Sequence, residues 1–236
     1  MIGAYVTGTD TGIGKTRVSV ALLRALRAGG VDACGMKPVA SGCEDDGAGP
    51  RNDDALALQA AGPPGLDYAL INPCALRAAT APEIAARRDG VAVELDGLVD
   101  SATRLQARHR LLLVEGVGGW LAPLAPALMQ ADLVRWLQLP VLLVVGLRLG
   151  CINHALLTAR ALAADGVATL GWVANRVDPD LDFADETLQI LRQRLPLQWL
   201  GTHAHGDTDA SSDPGLQPAV ARLAALGQPD PQADPG

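Results

Sequence analysis

The chain has 236 residues, of which 49% are hydrophobic and 19% charged, and a formal net charge of −7. That length and balance suit a globular chain with room for one buried sheet, and they exclude a disordered polymer. The acidic balance argues against a general binder of nucleic acid or of anionic membrane surfaces.

The start, "MIGAYVTG", has no basic segment and does not read as a signal peptide. Its run 2–8 is apolar and reads as a first strand. A Gly-rich loop follows, then a helix from Lys15 to about Ala28 that ends at Gly29-Gly30. "DACGMKPV" (32–39) reads as a second strand, and 52–61 as a helix. Helical patterns over 96–108, 129–137, 153–165 and 182–194 alternate with the strand-like runs "LLLVEG" (111–116), "PVLLVVG" (140–146) and "TLGWVAN" (169–175). A weaker strand is expected near 198–201. The longest apolar run, "LPVLLVVGL", is too short to span a bilayer.

Continuous apolar strands of this kind are buried on both faces. Their alternation with helices predicts an α/β fold with a mostly parallel sheet and helices on both faces, in three layers. Residues 1–206 are expected to form a single domain. Residues 207–236 are expected to form a C-terminal extension with one short helix, roughly 217–226, and a frayed tail, "GQPDPQADPG". Cys34, Cys43, Cys74 and Cys151 have no CxxC spacing, so a cytoplasmic protein with free thiols is expected.

Ligands of such folds bind beyond the carboxyl ends of the strands, where the chemically interesting residues fall. "GTDTGIGKT" (8–16) ends as a phosphate-binding loop does, but with five residues between Gly8 and Gly14 where the usual pattern has four. A loop that leaves a buried strand and opens a helix turns its N–H groups toward one point, and with the helix dipole they cradle phosphate oxygens. Lys15 would reach the β- and γ-phosphates and the Thr16 hydroxyl would hold Mg²⁺. Glu115, after the run "LLLV", is a second candidate ligand. Asp53 and Asp54 open a helix and read either as metal ligands or as helix caps.

Lys15 and Lys37 are the only lysines among the 19 basic Lys and Arg residues. Both lie in motif-like segments, which suggests sites where a compact ammonium is needed. Lys37 either neutralises a developing anion or is a solvated surface lysine. Gly150 precedes a helix. The N–H groups of Cys151, Ile152 and Asn153 either face an anion such as a substrate carboxylate, or Asn153 simply caps the helix. His154 reads as a helix-face residue. The Asn175 amide either reads a nucleobase edge or belongs to an ordinary turn.

Taken together, "VTGTDTGIGKT", "GMKPVASG", "RNDDALALQ", "LLLVEGVGGW", "LPVLLVVGLRLGCINHALLTA" and "GWVANRV" resemble the dethiobiotin synthetase family, in family order over most of residues 4–177. That family's phosphate loop has the same extra residue. The resemblance implies a P-loop NTPase-like fold, Mg²⁺ as cofactor and ATP as co-substrate. It implies a reaction in which 7,8-diaminopelargonate takes up CO₂ (or bicarbonate) as a carbamate. ATP phosphorylates the carbamate, and the second amine closes the ureido ring and expels phosphate.

By position, the resemblance assigns Lys37 and Lys15 to charge stabilisation and Thr11 and Ser41 to orienting substrate and carbamate. It implies an ATP site of Gly8, Thr9, Asp10, Gly12, Ile13, Gly14, Lys15, Thr16 and Arg17. Asp54, Glu115, Gly118, Asn175, Arg176, Ala204, His205 and Gly206 complete that site. Thr16, Asp54 and Glu115 bind the metal. The substrate meets Thr11, Lys37, Ser41, Val117, Gly118, Leu149, Gly150, Cys151, Ile152 and Asn153, with the site completed across a homodimer interface. Position 12, often acidic in the family, is Gly12 here. Ala204 stands where the family has the proline of Gly-x-Ile-Pro, which predicts weaker discrimination among nucleobases. A regulatory switch of the partitioning-ATPase type would have a further lysine early in the loop, and the loop's only lysine is Lys15.

Overall fold

The computed structural model describes residues 1–45, 47, 49–206 and 213–227. Six apolar runs form one sheet: β1 (Gly3–Gly8), β2 (Ala33–Met36), β3 (Leu111–Glu115), β4 (Val141–Gly146), β5 (Thr169–Asn175) and β6 (Trp199–His203). Their spatial order is β6-β5-β4-β1-β3-β2, and every pairing is parallel. All residues of β1 to β4 are buried, as the unbroken apolar runs require of a sheet covered on both faces. The expected α/β architecture is therefore the one observed.

The helices are α1 (Lys15–Ala28), α2 (Asp53–Ala61), α3 (Tyr68–Ile71), α4 (Pro82–Asp89), α5 (Leu95–Gln106), α6 (Gln130–Leu137), α7 (Cys151–Ala164), α8 (Ala184–Arg194) and α9 (Gln217–Leu226). One apolar cluster joins the sheet to Val18, Leu22 and Leu26 of α1, Leu58 of α2 and Ala219 and Leu223 of α9. A second, on the other face, joins it to Leu98, Leu105, Leu133, Leu137, Ala155, Leu162 and Leu191 of α5 to α8. The short helix expected in the C-terminal extension is thus seated on the sheet, with Leu216 and Leu223 almost fully buried. The expected tail falls outside the described residues from 228 onward.

The expected strand 32–39 is divided. The Lys37 N–H leaves the ladder and donates to the Ile71 carbonyl at 2.8 Å, and Pro38 has no N–H to give. Val39–Ser41 then pairs in parallel with Cys74–Leu76, apart from the main sheet. That break ends β2 next to β3 and leaves Lys37 beside Glu115. Helices α3 and α4 lie in a stretch where the sequence pattern predicted no element. No described helix is long and apolar enough to cross a membrane. All four cysteines are free and buried.

Candidate active site at the strand ends

The loop from β1 to α1 takes the shape its glycines permit. Gly12 and Gly14 have φ of 72° and 77°, and Gly14 is the left-handed N-cap of α1. The Ile13 carbonyl accepts from Asn175 Nδ2 at 2.9 Å, which ties the loop to the end of β5. A Cβ on Gly14 would lie 2.1 Å from that amide nitrogen. Gly14→Ala therefore combines a collision with left-handed strain of about 1–2 kcal/mol. It is expected to weaken ADP binding by roughly tenfold or more in an equilibrium titration. Unchanged affinity would mean that the Asn175 brace is dispensable.

A cleft of about 770 Å³ opens in front of this loop. Thr11, Gly12, Gly14, Lys15, Thr16, Arg17, Lys37, Ser41, Asp54, Val117 and Gly118 all line it. At its floor, Lys37 Nζ donates to Asp54 Oδ2 at 2.8 Å, to Glu115 Oε1 at 2.7 Å and to the Gly116 carbonyl at 3.2 Å. Thr16 Oγ1 donates to the same Glu115 oxygen at 2.7 Å. Lys37 is 3% exposed, so it is not a solvated surface lysine. Asn52, not Asp53 or Asp54, caps α2, accepting from the N–H groups of Asp54 and Ala55. The Asp54 carboxylate is left to face Lys37.

The charges shape one another. Burial draws the Lys37 ammonium down, but Glu115 and Asp54 outweigh it and hold its pKa above the usual lysine value. Burial likewise pushes the Asp54 carboxyl up, and Lys37, aided by a Thr16 hydrogen bond, more than reverses it. Lys15 lacks so close a counter-charge. Its Nζ bonds the Asp10 carbonyl at 2.9 Å. Burial and the neighbouring Lys37 push its pKa down to about 8.

A pH dependence follows. A phosphate anion beside Lys15 raises its pKa, so nucleotide binds the protonated form better. ADP affinity is expected to be flat below about pH 8 and to fall above it, by up to about tenfold per pH unit. Calorimetry from pH 7 to 9.5 reads this directly, and affinity independent of pH would remove Lys15 from the phosphate site.

The hard oxygens of Thr16, Asp54 and Glu115 converge. Glu115 Oε2 is buried with no hydrogen-bond partner among the described residues. No cluster of three or more His, Cys, Asp or Glu is available there or elsewhere among the described residues. Two carboxylates and a hydroxyl beside a phosphate cradle are nonetheless a donor set that suits Mg²⁺, which commonly takes one or two carboxylates plus substrate phosphates.

Two groups of expected residues lie outside the cleft lining. Arg176, Ala204, His205 and Gly206 gather at the ends of β5 and β6, where the Arg176 N–H donates to the His203 carbonyl and His205 Nδ1 lies 2.9 Å from the Arg176 carbonyl. Leu149 to Asn153 stand apart from the cleft lining, with Leu149 95% exposed. Gly150, not Asn153, is the N-cap of α7, with no side-chain cap bond. His154 is exposed on the helix face.

The sequence reading missed Gln130. This fully buried side chain accepts from the Val117 N–H at 2.8 Å and donates to the Gly119 carbonyl at 3.0 Å and to Thr7 Oγ1 at 3.3 Å. It holds the Gly-rich 116–119 loop against the cleft. No local feature of the sequence marks it, because its partners Thr7, Val117 and Gly119 lie on other segments.

A parallel sheet, a glycine loop with Lys-Thr at the helix start, and carboxylates at a neighbouring strand end define a P-loop nucleotide-binding protein. The fold alone is also found in a chain of the Aquifex aeolicus MinC:MinD cell division protein complex, with a TM-score of 0.58 and 15% identity, covering 99% of each chain.

 

A ParA family ATPase from Chlorobium tepidum has a TM-score of 0.53 and 11% identity, covering 96% of this chain and 97% of its own. A family model described as an AAA domain matches residues 3–203. The ATP-dependent dethiobiotin synthetase BioD of Xanthomonas axonopodis pv. citri is 57% identical over 213 residues, covering 86% of this chain and 95% of its own. The BioD of Xylella fastidiosa is 55% identical over 216 residues, covering 92% and 93%. This chain belongs to the ATP-dependent dethiobiotin synthetase family.

Proposed function

We propose that this cleft closes the ureido ring of dethiobiotin from 7,8-diaminopelargonate, CO₂ and ATP, releasing ADP and phosphate. The observation that supports it best is the convergence of Lys37, Asp54, Glu115 and Thr16 at the mouth of the phosphate loop. Phosphorylating a carbamate brings two anions together, so the site needs dense positive charge and little covalent help. The loop N–H groups and Lys15 hold the phosphate chain. Lys37 faces the carbamate, and Thr11 and Ser41 orient it. A carbamate oxygen attacks the γ-phosphorus and the bond to ADP breaks. The second amine then attacks the carbamoyl carbon, loses a proton, and phosphate leaves with that carbamate oxygen.

Thr16, Asp54 and Glu115 would hold Mg²⁺, which when bound adds divalent positive charge beside the phosphate oxygens. The exposed Leu149, with Leu121 and Leu157 also more than half exposed, suits a homodimer in which Leu149–Asn153 of one protomer meet the substrate carboxylate in the other. A cytoplasmic location fits the four free thiols.

The test is phosphate release from ATP with and without 7,8-diaminopelargonate and bicarbonate. Release that requires both is expected, and release indifferent to both would favour a nucleotide switch. Base choice rests on the Asn175 and 204–206 group, where Ala204 replaces the family's proline. One missing ring-edge contact shifts selectivity by about 1–3 kcal/mol. The kcat/KM values for ATP, CTP and GTP are expected to lie closer together than in relatives with Ile-Pro, and a strong ATP preference would refute this.

A further inference from the structure

Lys37 and Asp54 come from different elements, the end of β2 and the first turn of α2, yet their charged ends meet at 2.8 Å. A chain of hydrogen bonds joins their backbones behind the site. The Lys37 carbonyl accepts from Asn72 Nδ2 at 2.7 Å. Asn72 Oδ1 accepts from the Tyr68 hydroxyl at 3.1 Å. That hydroxyl accepts from the Asn52 N–H at 2.8 Å. Asn52 Oδ1 caps α2 through the Asp54 N–H at 3.1 Å. The Lys37–Asp54 ion pair closes the ring.

Three features make this more than local packing. Asn72 is 4% exposed, so its amide is committed to these bonds. The Tyr68 hydroxyl both donates and accepts, which gives it a defined orientation. Its ring lies under the Arg51 guanidinium, 4.5 Å from carbon to centroid, which fixes it from the solvent side. The path runs wholly outside the cleft lining except at Lys37, Asn52 and Asp54.

We infer that Tyr68 and Asn72 are positioning residues that set the spacing of Lys37 and Asp54, and through it the Mg²⁺-dependent part of nucleotide binding. The inference rests on the proposed roles of those two side chains. Its test uses only ADP and Mg²⁺, so it does not depend on the ring-closure reaction. Tyr68→Phe removes one hydroxyl and keeps the ring beneath Arg51. ADP binding is measured by calorimetry in Mg²⁺ and in chelator.

The expected result is chelator affinity within about twofold of the parent. The gain from Mg²⁺ should shrink by roughly tenfold, the loss typical of groups that orient metal ligands. Asn72→Ser should do the same, and the double variant should lose no more than the larger single loss, because both break one ring. A lowered Tm with the Mg²⁺ gain intact would overturn the inference and leave a purely structural role. Equal losses with and without Mg²⁺, or additive losses in the double variant, would also overturn it. A parent enzyme that forms no dethiobiotin but shows the expected binding pattern would sink the proposed function and leave this inference standing.

Discussion

Lys37→Arg is expected to keep its affinity for ATP and to lose turnover by about 10²–10³-fold, the scale of removing one preorganised charge stabiliser. The positive charge survives the change, so the expected loss is geometric. Lys37 Nζ makes three bonds of 2.7–3.2 Å inside a buried pocket floored by Glu115 and the Gly116 carbonyl. A planar guanidinium cannot point compactly at two carboxylates and a carbonyl while facing a carbamate. On the proposed reading ATP is held chiefly by the loop and Lys15, which the substitution leaves in place. Steady-state kinetics with a separate nucleotide titration checks both halves. Turnover near the parent value would show that charge alone suffices at this position.

Glu115→Gln is expected to act on both stability and metal dependence. Glu115 is fully buried and pairs with a nearly buried Lys37, so removing its charge strands an ammonium. Breaking such a pair costs about 3–5 kcal/mol, which a denaturant titration reads. Asp54, already bonded to Lys37, offsets part of that loss. The Mg²⁺ concentration for half-maximal ADP binding should rise by roughly tenfold or more. An unchanged Mg²⁺ titration, with stability lowered as expected, would restrict Glu115 to holding Lys37.

Much of this was legible because it follows from local pattern. Apolar runs such as "LLLV" fixed which segments lie inside the sheet, and Glu115 at the end of that run had to sit at a strand end. The glycine loop with Lys15 and Thr16 announced itself by spacing and by its place between strand and helix. Lys37 stood out as one of two lysines in an arginine-rich chain.

What was not legible depends on contacts between distant segments. Nothing near Asn72 or Gln130 in sequence signals that each is buried and bonded across the fold. The division of the second strand needed Ile71, 34 positions away, as the partner for the Lys37 N–H. The Asn175 amide, open to two readings in sequence, braces the loop through the Ile13 carbonyl. The seating of α9 was hidden by the polar segment before it, since only the folded sheet offers Leu216 and Leu223 a face to cover.

In the proposed reaction ATP phosphorylates a carbamate oxygen in this cleft, and the fate of that oxygen can be followed. With ¹⁸O-labelled CO₂, 7,8-diaminopelargonate and ATP, mass spectrometry of the phosphate released during rapid turnover, before label is lost to water, should find one ¹⁸O per phosphate. Dethiobiotin formed alongside phosphate that contains no label from CO₂ would mean that the carbamate oxygen is not the phosphoryl acceptor.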